Sequence, residues 1–229
     1  LSLQDYLTEH LKVRPLVKLA VENVVLARLW NAAPSVYEFA LLDAIYRLAT
    51  VDALEGLRHI VVDLPATGHA VAMLGVPRGL LGIMGMGPLA QRAREVDQLI
   101  RNEESSVVLV TLPEELPMNE MVELSQLLRA KLELSTALIV VNRTSGAPLD
   151  AADHAHLAAL RPEAAGATQD LVDLVLRAHT SVERESRLVH STRHSTQTFV
   201  DARWVQVGAQ EVQGRELVLA VGEALSNQL

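Results

Sequence analysis

The chain has 229 residues, 49% of them apolar and 21% charged, enough for one large domain or two small ones and too apolar for a disordered chain. Its formal net charge is -8, and between Glu95 and Glu133 only Arg101, Arg129 and Lys131 oppose nine acids; a phosphate-backbone binder needs a basic face, so nucleic acid is not an expected partner. The chain has no cysteine, which excludes a disulfide framework, thiolate metal sites and a cysteine nucleophile, and fits a cytoplasmic protein.

In chain order, the first fifty residues read as helix. Leu7, Leu11, Leu16, Leu19, Val24, Leu26 and Leu29 recur at roughly helical spacing. Pro34 breaks that pattern, and Ser35 followed by Glu38 has capping-box spacing, so a second helix is expected from Val36 to Thr50. From His59 the texture changes. Short runs rich in β-branched residues fall at His59–Asp63, Ser106–Leu112, Ala137–Asn142 and Arg203–Val207. Helical patterns separate them at Leu89–Asn102, Asn119–Leu132, Gln169–Arg193 and Glu211–Leu225. Strand alternating with helix predicts an α/β fold, a parallel sheet flanked by helices, with an N-terminal helical segment. The organisation expected is one α/β domain over 1–229, mostly helical over 1–56 and a strand–helix core over 57–229. No signal-peptide pattern opens the sequence. The longest uncharged apolar run, Gly79–Ala90, is about half of the ~20 residues a spanning helix needs, so an integral membrane protein is not expected. Leu1 in place of Met leads us to expect further chain upstream.

In open parallel sheets, ligands sit beyond the carboxyl ends of the strands. Those ends are Asp63, Pro113 with Glu114, Asn142, and Gln206 to Gly208. An acid, an amide and several loops on one edge suit a metal-linked polar ligand such as a nucleotide.

The stretch Leu57 to Arg143 carries more. It contains Ile60-Val61-Val62-Asp63-Leu64-Pro65-Ala66-Thr67-Gly68-His69, then Leu112-Pro113-Glu114-Glu115-Leu116-Pro117-Met118-Asn119-Glu120, then Val140-Val141-Asn142-Arg143. In this order and spacing the motifs resemble the arsenite-pump and tail-anchored-protein targeting ATPases, a branch of the P-loop nucleotidases. Asp5-Tyr6-Leu7 and Asn31–Glu38 are similar, more loosely, to its bacterial members. The resemblance implies an ATP-binding and -hydrolysing nucleotide switch that uses ATP and Mg2+. It implies that Asp63 holds the magnesium ion through a water, as suits a hard cation that keeps its waters. It places Gly68 in a switch turn near the γ-phosphate, and His69 where that turn couples to a partner subunit. It gives Asn142 the reading of adenine, since a side-chain amide can donate and accept at once. It sets Pro113 and Glu114 in the loop beside the nucleotide that contacts the other subunit. Partners implied are a second copy or a paralogue, and a hydrophobic client segment.

The departures bear equally on function. The family's glycine-rich phosphate loop ends in Lys and then Ser or Thr. The lysines here, Lys12, Lys18 and Lys131, are followed by Val or Leu. Without that loop no lysine reaches the phosphates, so this chain alone is not expected to hydrolyse ATP. The cysteines that bind arsenite or bridge zinc in that family are missing, and Gln206 stands where a Pro often lies near the base. These departures support an alternative, a non-catalytic paralogue that scaffolds or regulates an active ATPase. A third reading is a client-binding module without nucleotide.

Other signals have plainer explanations. Gly85-Met86-Gly87-Pro88-Leu89-Ala90 matches a dinucleotide fingerprint, but no strand precedes it and the acids Glu103 and Glu104 precede the next strand. Met73, Met84 and Met86 suit an adaptable apolar surface, though core packing is the favoured reading. His190 and His194 have metal-pair spacing with no third ligand in view, and His154 with His156 reads as a polar linker. Glu114 and Glu115 read as acids at a helix entry, stabilised by the dipole.

Overall fold

Three of the expected β-branched runs form one sheet: β1 (Val107–Thr111), β2 (Thr136–Thr144) and β3 (Arg203–Gly208). The computed structural model describes residues 34–50, 59–66, 68–83, 86–209 and 214–226. The sheet order is β1-β2-β3 and both pairings are parallel. Seven helices accompany it among the described residues: α1 (Pro34–Thr50), α2 (Gly68–Ile83), α3 (Pro88–Ile100), α4 (Glu115–Leu132), α5 (Ala151–Leu160), α6 (Ala167–Thr196) and α7 (Gly214–Ser226). The chain is therefore α/β, with a parallel sheet flanked by helices and helical structure ahead of it. The helical reading of residues before Pro34 lies outside the described residues.

The central strand explains why the runs are almost unbroken apolar. Successive side chains point to opposite faces, and both faces of β2 are covered. On one face Val141 packs with Met118 of α4 and Val189 of α6, beside Leu188 and Trp204. On the other, Val140 packs with Val205 and Val207 beneath Val221 and Leu225 of α7. Among the described residues β1 is an edge strand. Leu109 and Thr111 are buried, whereas Val108 and Val110 are 50% and 65% exposed.

Contacts divide the chain into two units. The sheet unit takes residues 106–126 and 135–229; the other takes 1–105 and 127–134. In the second, helical unit α1, α2 and α3 pack pairwise. Its core includes Phe39, Leu42, Met73, Leu74, Ala93, Val96, Leu128 and Leu132. Asp43, 1% exposed, is clasped by Arg47 Nε at 2.8 Å and Arg92 Nε at 3.2 Å. The Arg92 guanidinium also lies 5.0 Å from the centre of the Tyr46 ring and donates to Glu95 at 2.9 Å. Arg78 meets Glu133 with two bonds, 3.1 and 3.4 Å, and Arg101 bonds the Leu132 carbonyl and Asp97.

Four expectations are corrected. His59–Asp63 is not a strand: residues 59–65 have no regular structure and take no place in the sheet. A strand needs a neighbour to bond its backbone groups; Val61 instead stands 93% exposed. The switch turn expected at Gly68 is instead the first turn of helix α2, which continues through a glycine-rich stretch. Pro77, Gly75, Gly79 and Gly82 disfavour a helix locally, but Ala70, Val71, Met73, Leu74 and Pro77 are buried, and that packing overrides propensity. Pro34 begins α1 instead of preceding it, at a position where its missing N–H costs nothing. His154 and His156 lie on α5 and not in a linker; Asp150 caps that helix by accepting from the Asp153 amide at 2.8 Å.

Gly87 precedes α3 at φ 116°, a conformation open to glycine and rarely to other residues. This accounts for the second glycine of the fingerprint-like run without any cofactor. Met73 belongs to the core and Met86 is 95% exposed, while Met84 lies outside the described residues. Among the described residues no helix is long and apolar enough to cross a membrane.

Candidate functional site

The parallel register brings the carboxyl ends of the three strands to one edge. Thr111 is level with Val141, Asn142 with Val207, and Thr144 with Gly208. Pro113 and Glu114 follow β1, with Pro113 half-buried and Glu114 exposed. The Glu114 carbonyl accepts from the Met118 amide at 3.0 Å, so this loop runs directly into α4. Glu115 lies in the first turn of α4, where the helix dipole stabilises a carboxylate.

Asn142 sits near the end of β2, half-buried. Its Oδ1 accepts from the Arg143 amide at 2.9 Å. The β2–β3 register shifts between Asn142 and Thr144, leaving Arg143 as the extra residue, at φ 59°. That is a β-bulge with its odd residue in the left-handed region, a device that re-aims side chains at the ends of sheets. The bulge is tied down on both sides. Ala209 donates to the Thr144 carbonyl at 3.1 Å, and Ser145 donates to Glu185 Oε1 at 2.8 Å. Gln206 lies within β3, level with Val141, and not beyond the strand end.

Downstream, the Leu149 amide donates to Nδ1 of buried His179 at 3.1 Å. His179 Nε2 is 3.5 Å from Glu183 Oε1, and the His154 ring centre is 4.5 Å away. These contacts pin the loop after β2 to α6. No sequence pattern singled out His179; its apolar neighbours Leu176 and Val182 were the only hint of burial.

The remaining candidates lie in the helical unit. Asp63 is exposed, in the irregular segment before α2. Gly68 is the first residue of α2, and a side chain there would meet open space. Among the described residues nothing requires glycine at that point. His69, in the first turn of α2, has Nε2 4.0 Å from Glu38 Oε1 of α1. The turn expected at Gly68 and His69 is thus the start of a helix. The structure brings Pro113, Glu114 and Asn142 together on the sheet edge; Asp63, Gly68 and His69 belong to the other unit. His190 and His194 are exposed on α6, and among the described residues no three metal-ligating side chains cluster.

No family model matches the chain. It is 34% identical over 99 residues to ATPase BagA of Mycobacterium tuberculosis and to the protein named "Putative ATPase Mb3704" of Mycobacterium bovis. Each match covers 43% of this chain and 29% of the relative. The chain therefore spans under a third of the length of the relatives it matches.

Proposed function

We propose that the chain is part of an ATP-binding and -hydrolysing switch protein of the anion-transporting or tail-anchored-protein targeting type. One observation carries the reading: an amide-bearing bulge, Asn142–Arg143, stands beside the Pro113–Glu114 loop on the carboxyl edge of a parallel sheet, where such folds hold ligands. The relatives named as ATPases support it. Residues 1–56 and 57–229 would then belong to one ATPase-like domain.

The residues present fit the adenine end of a nucleotide. The Asn142 amide is held in one orientation by the Arg143 amide, so its Nδ2 hydrogens are left to meet a ring nitrogen. Asp63 has an exposed carboxylate that suits magnesium through a water, and a bound ion would offset phosphate charge. No Lys followed by Ser or Thr occurs in the sequence, so the phosphate end has no cradle here and no hydrolytic step is assigned to these residues. In the same reading the Pro113–Glu120 loop and His69 meet a second copy or a paralogue, an apolar client segment binds elsewhere, and the protein works in the cytoplasm. A non-catalytic partner of an active ATPase is the second reading, favoured by the three lysines that lack a following hydroxyl residue.

The test is a titration of isotope-labelled chain with magnesium ATP and GTP, followed by amide shifts, with hydrolysis assayed in parallel. ATP should perturb Asn142 to Ser145 and Gly208, with no turnover above blank. Asn142→Ala should weaken ATP by about 0.5–1.5 kcal/mol and reduce its preference over GTP. Unperturbed strand ends, or an affinity indifferent to Asn142, would remove the site. Robust turnover abolished by Asp63→Ala would show that a phosphate cradle had been overlooked.

A further inference from the structure

A concave surface lies between the end of α5 and one face of α6. It has a volume of about 390 Å³ and is lined by Arg161, Asp173, Arg177, Thr180, Ser181 and Arg184, among others. Arg161 Nε is 2.7 Å from Asp173 Oδ1, so that pair is neutral and forms one wall. Arg177 and Arg184 are exposed and make no ion pair among the described residues. Their spacing of seven residues puts them on nearly the same face of α6, about 10 Å apart along its axis. Ser181 lies between them, exposed. The Thr180 hydroxyl already donates to the Leu176 carbonyl at 3.0 Å, so Ser181 is the hydroxyl donor left in the groove.

In a chain of net charge -8, two uncompensated guanidinium groups flanking a hydroxyl in a concavity are a local reversal of sign. The neighbouring Arg187 does not share it: its Nη2 is 3.8 Å from Glu183 Oε2, and Glu185 accepts from the Ser145 amide. Guanidinium forks match phosphate oxygens in pairs. One phosphate would draw both side chains to a single point, whereas two linked phosphates can engage each arginine separately. We propose that this groove binds a diphosphate-bearing anion, with Arg177 and Arg184 each holding one phosphate and Ser181 donating to one oxygen between them. The source is either a free pyrophosphate or polyphosphate chain, or the diphosphate of a nucleotide. The proposal is independent of the strand-end site.

The test titrates the labelled chain with pyrophosphate, inorganic phosphate and ADP at matched ionic strength, reading amide shifts on α6. Pyrophosphate should give saturable shifts at residues 177–184, with an affinity about tenfold above that of phosphate because two forks act together. Arg177→Gln/Arg184→Gln should abolish saturation, whereas Arg187→Gln, on the same helix but outside the groove, should leave it intact. Arg177→Lys, which keeps the charge and loses the fork, should fall in between. ADP saturating the same amides assigns the site to nucleotides; ADP silent there assigns it to free polyphosphate. Shifts that stay linear with concentration, phosphate binding as well as pyrophosphate, or a double variant that behaves like wild type would each overturn the proposal. An unchanged amide spectrum outside the groove confirms that every variant folds.

Discussion

The buried carboxylate of Asp43 gives a sharp quantitative expectation for the helical unit. Asp43→Asn keeps the shape of the side chain and removes its charge, so Arg47 and Arg92 lose a charged acceptor. Hydrogen bonds to charged groups contribute about 1.5–3 kcal/mol net. Both arginines are about a third exposed, and water can recover part of what they lose. The expected loss is therefore in the lower part of that range, about 1.5–2.5 kcal/mol. Native-state hydrogen exchange is the assay, because it reads each unit separately. Amides of α1 and α3 should exchange roughly 10- to 70-fold faster, at 1.36 kcal/mol per decade, while those of β2 stay unchanged. Asp43→Leu is the companion variant. If it matches wild type, the cluster orients the helices without stabilising them, as buried ion pairs sometimes do. Exchange in α1 and α3 within twofold of wild type for Asp43→Asn would refute the argument outright.

Two further outcomes are expected. Met118→Ala, emptying a wholly buried position against Val141 and Val189, should destabilise the sheet unit by about 2–5 kcal/mol; denaturant unfolding followed by Trp204 fluorescence checks it, and a loss below about 1 kcal/mol would mean the cluster is looser than it looks. The hydrogen bonds from Arg78 hold the Glu133 carboxyl below the usual range, so this contribution to stability is present above the unfolded-state titration of a glutamate and is lost as pH falls through the lowered folded value. Arg78→Gln should move the Glu133 side-chain midpoint upward in carbon-detected NMR, and an unmoved midpoint would mean that the pair does not form in solution.

The sheet was readable because its cause is local and periodic. Val108 to Thr111, Leu138 to Val141 and Trp204 to Val207 are dense in β-branched and apolar side chains, and long helical patterns separate them. The same cue misled at Ile60-Val61-Val62, because composition supplies a propensity but not the neighbouring strand that a ladder requires. α2 was hidden by the opposite conflict: its glycines and proline speak against a helix, and only burial of Met73, Leu74 and Pro77 reveals why one forms. Of the strand-end site, the positions of Pro113, Glu114 and Asn142 followed from where the runs stop. The bulge at Arg143 did not, since a left-handed arginine leaves no mark in composition. The groove on α6 was equally invisible, because it depends on Arg161 arriving from another helix.

Among the described residues nothing pairs with the outer edge of β1, which bears on handling the protein at concentration. Val107–Thr111 is short, uncharged, β-branched and free of proline, with two valines open to solvent; that is the profile of a segment that templates intermolecular strand addition. Acid pairs bracket it, Glu103-Glu104 before and Glu114-Glu115 after, all four exposed. Stacking copies in register would bring those pairs against their own images, so the carboxylates act as gatekeepers at both ends of the strand. Replacing the four acids with glutamine would remove the guard and leave the valines unchanged, so that variant should be more prone to fibrillation than the natural sequence.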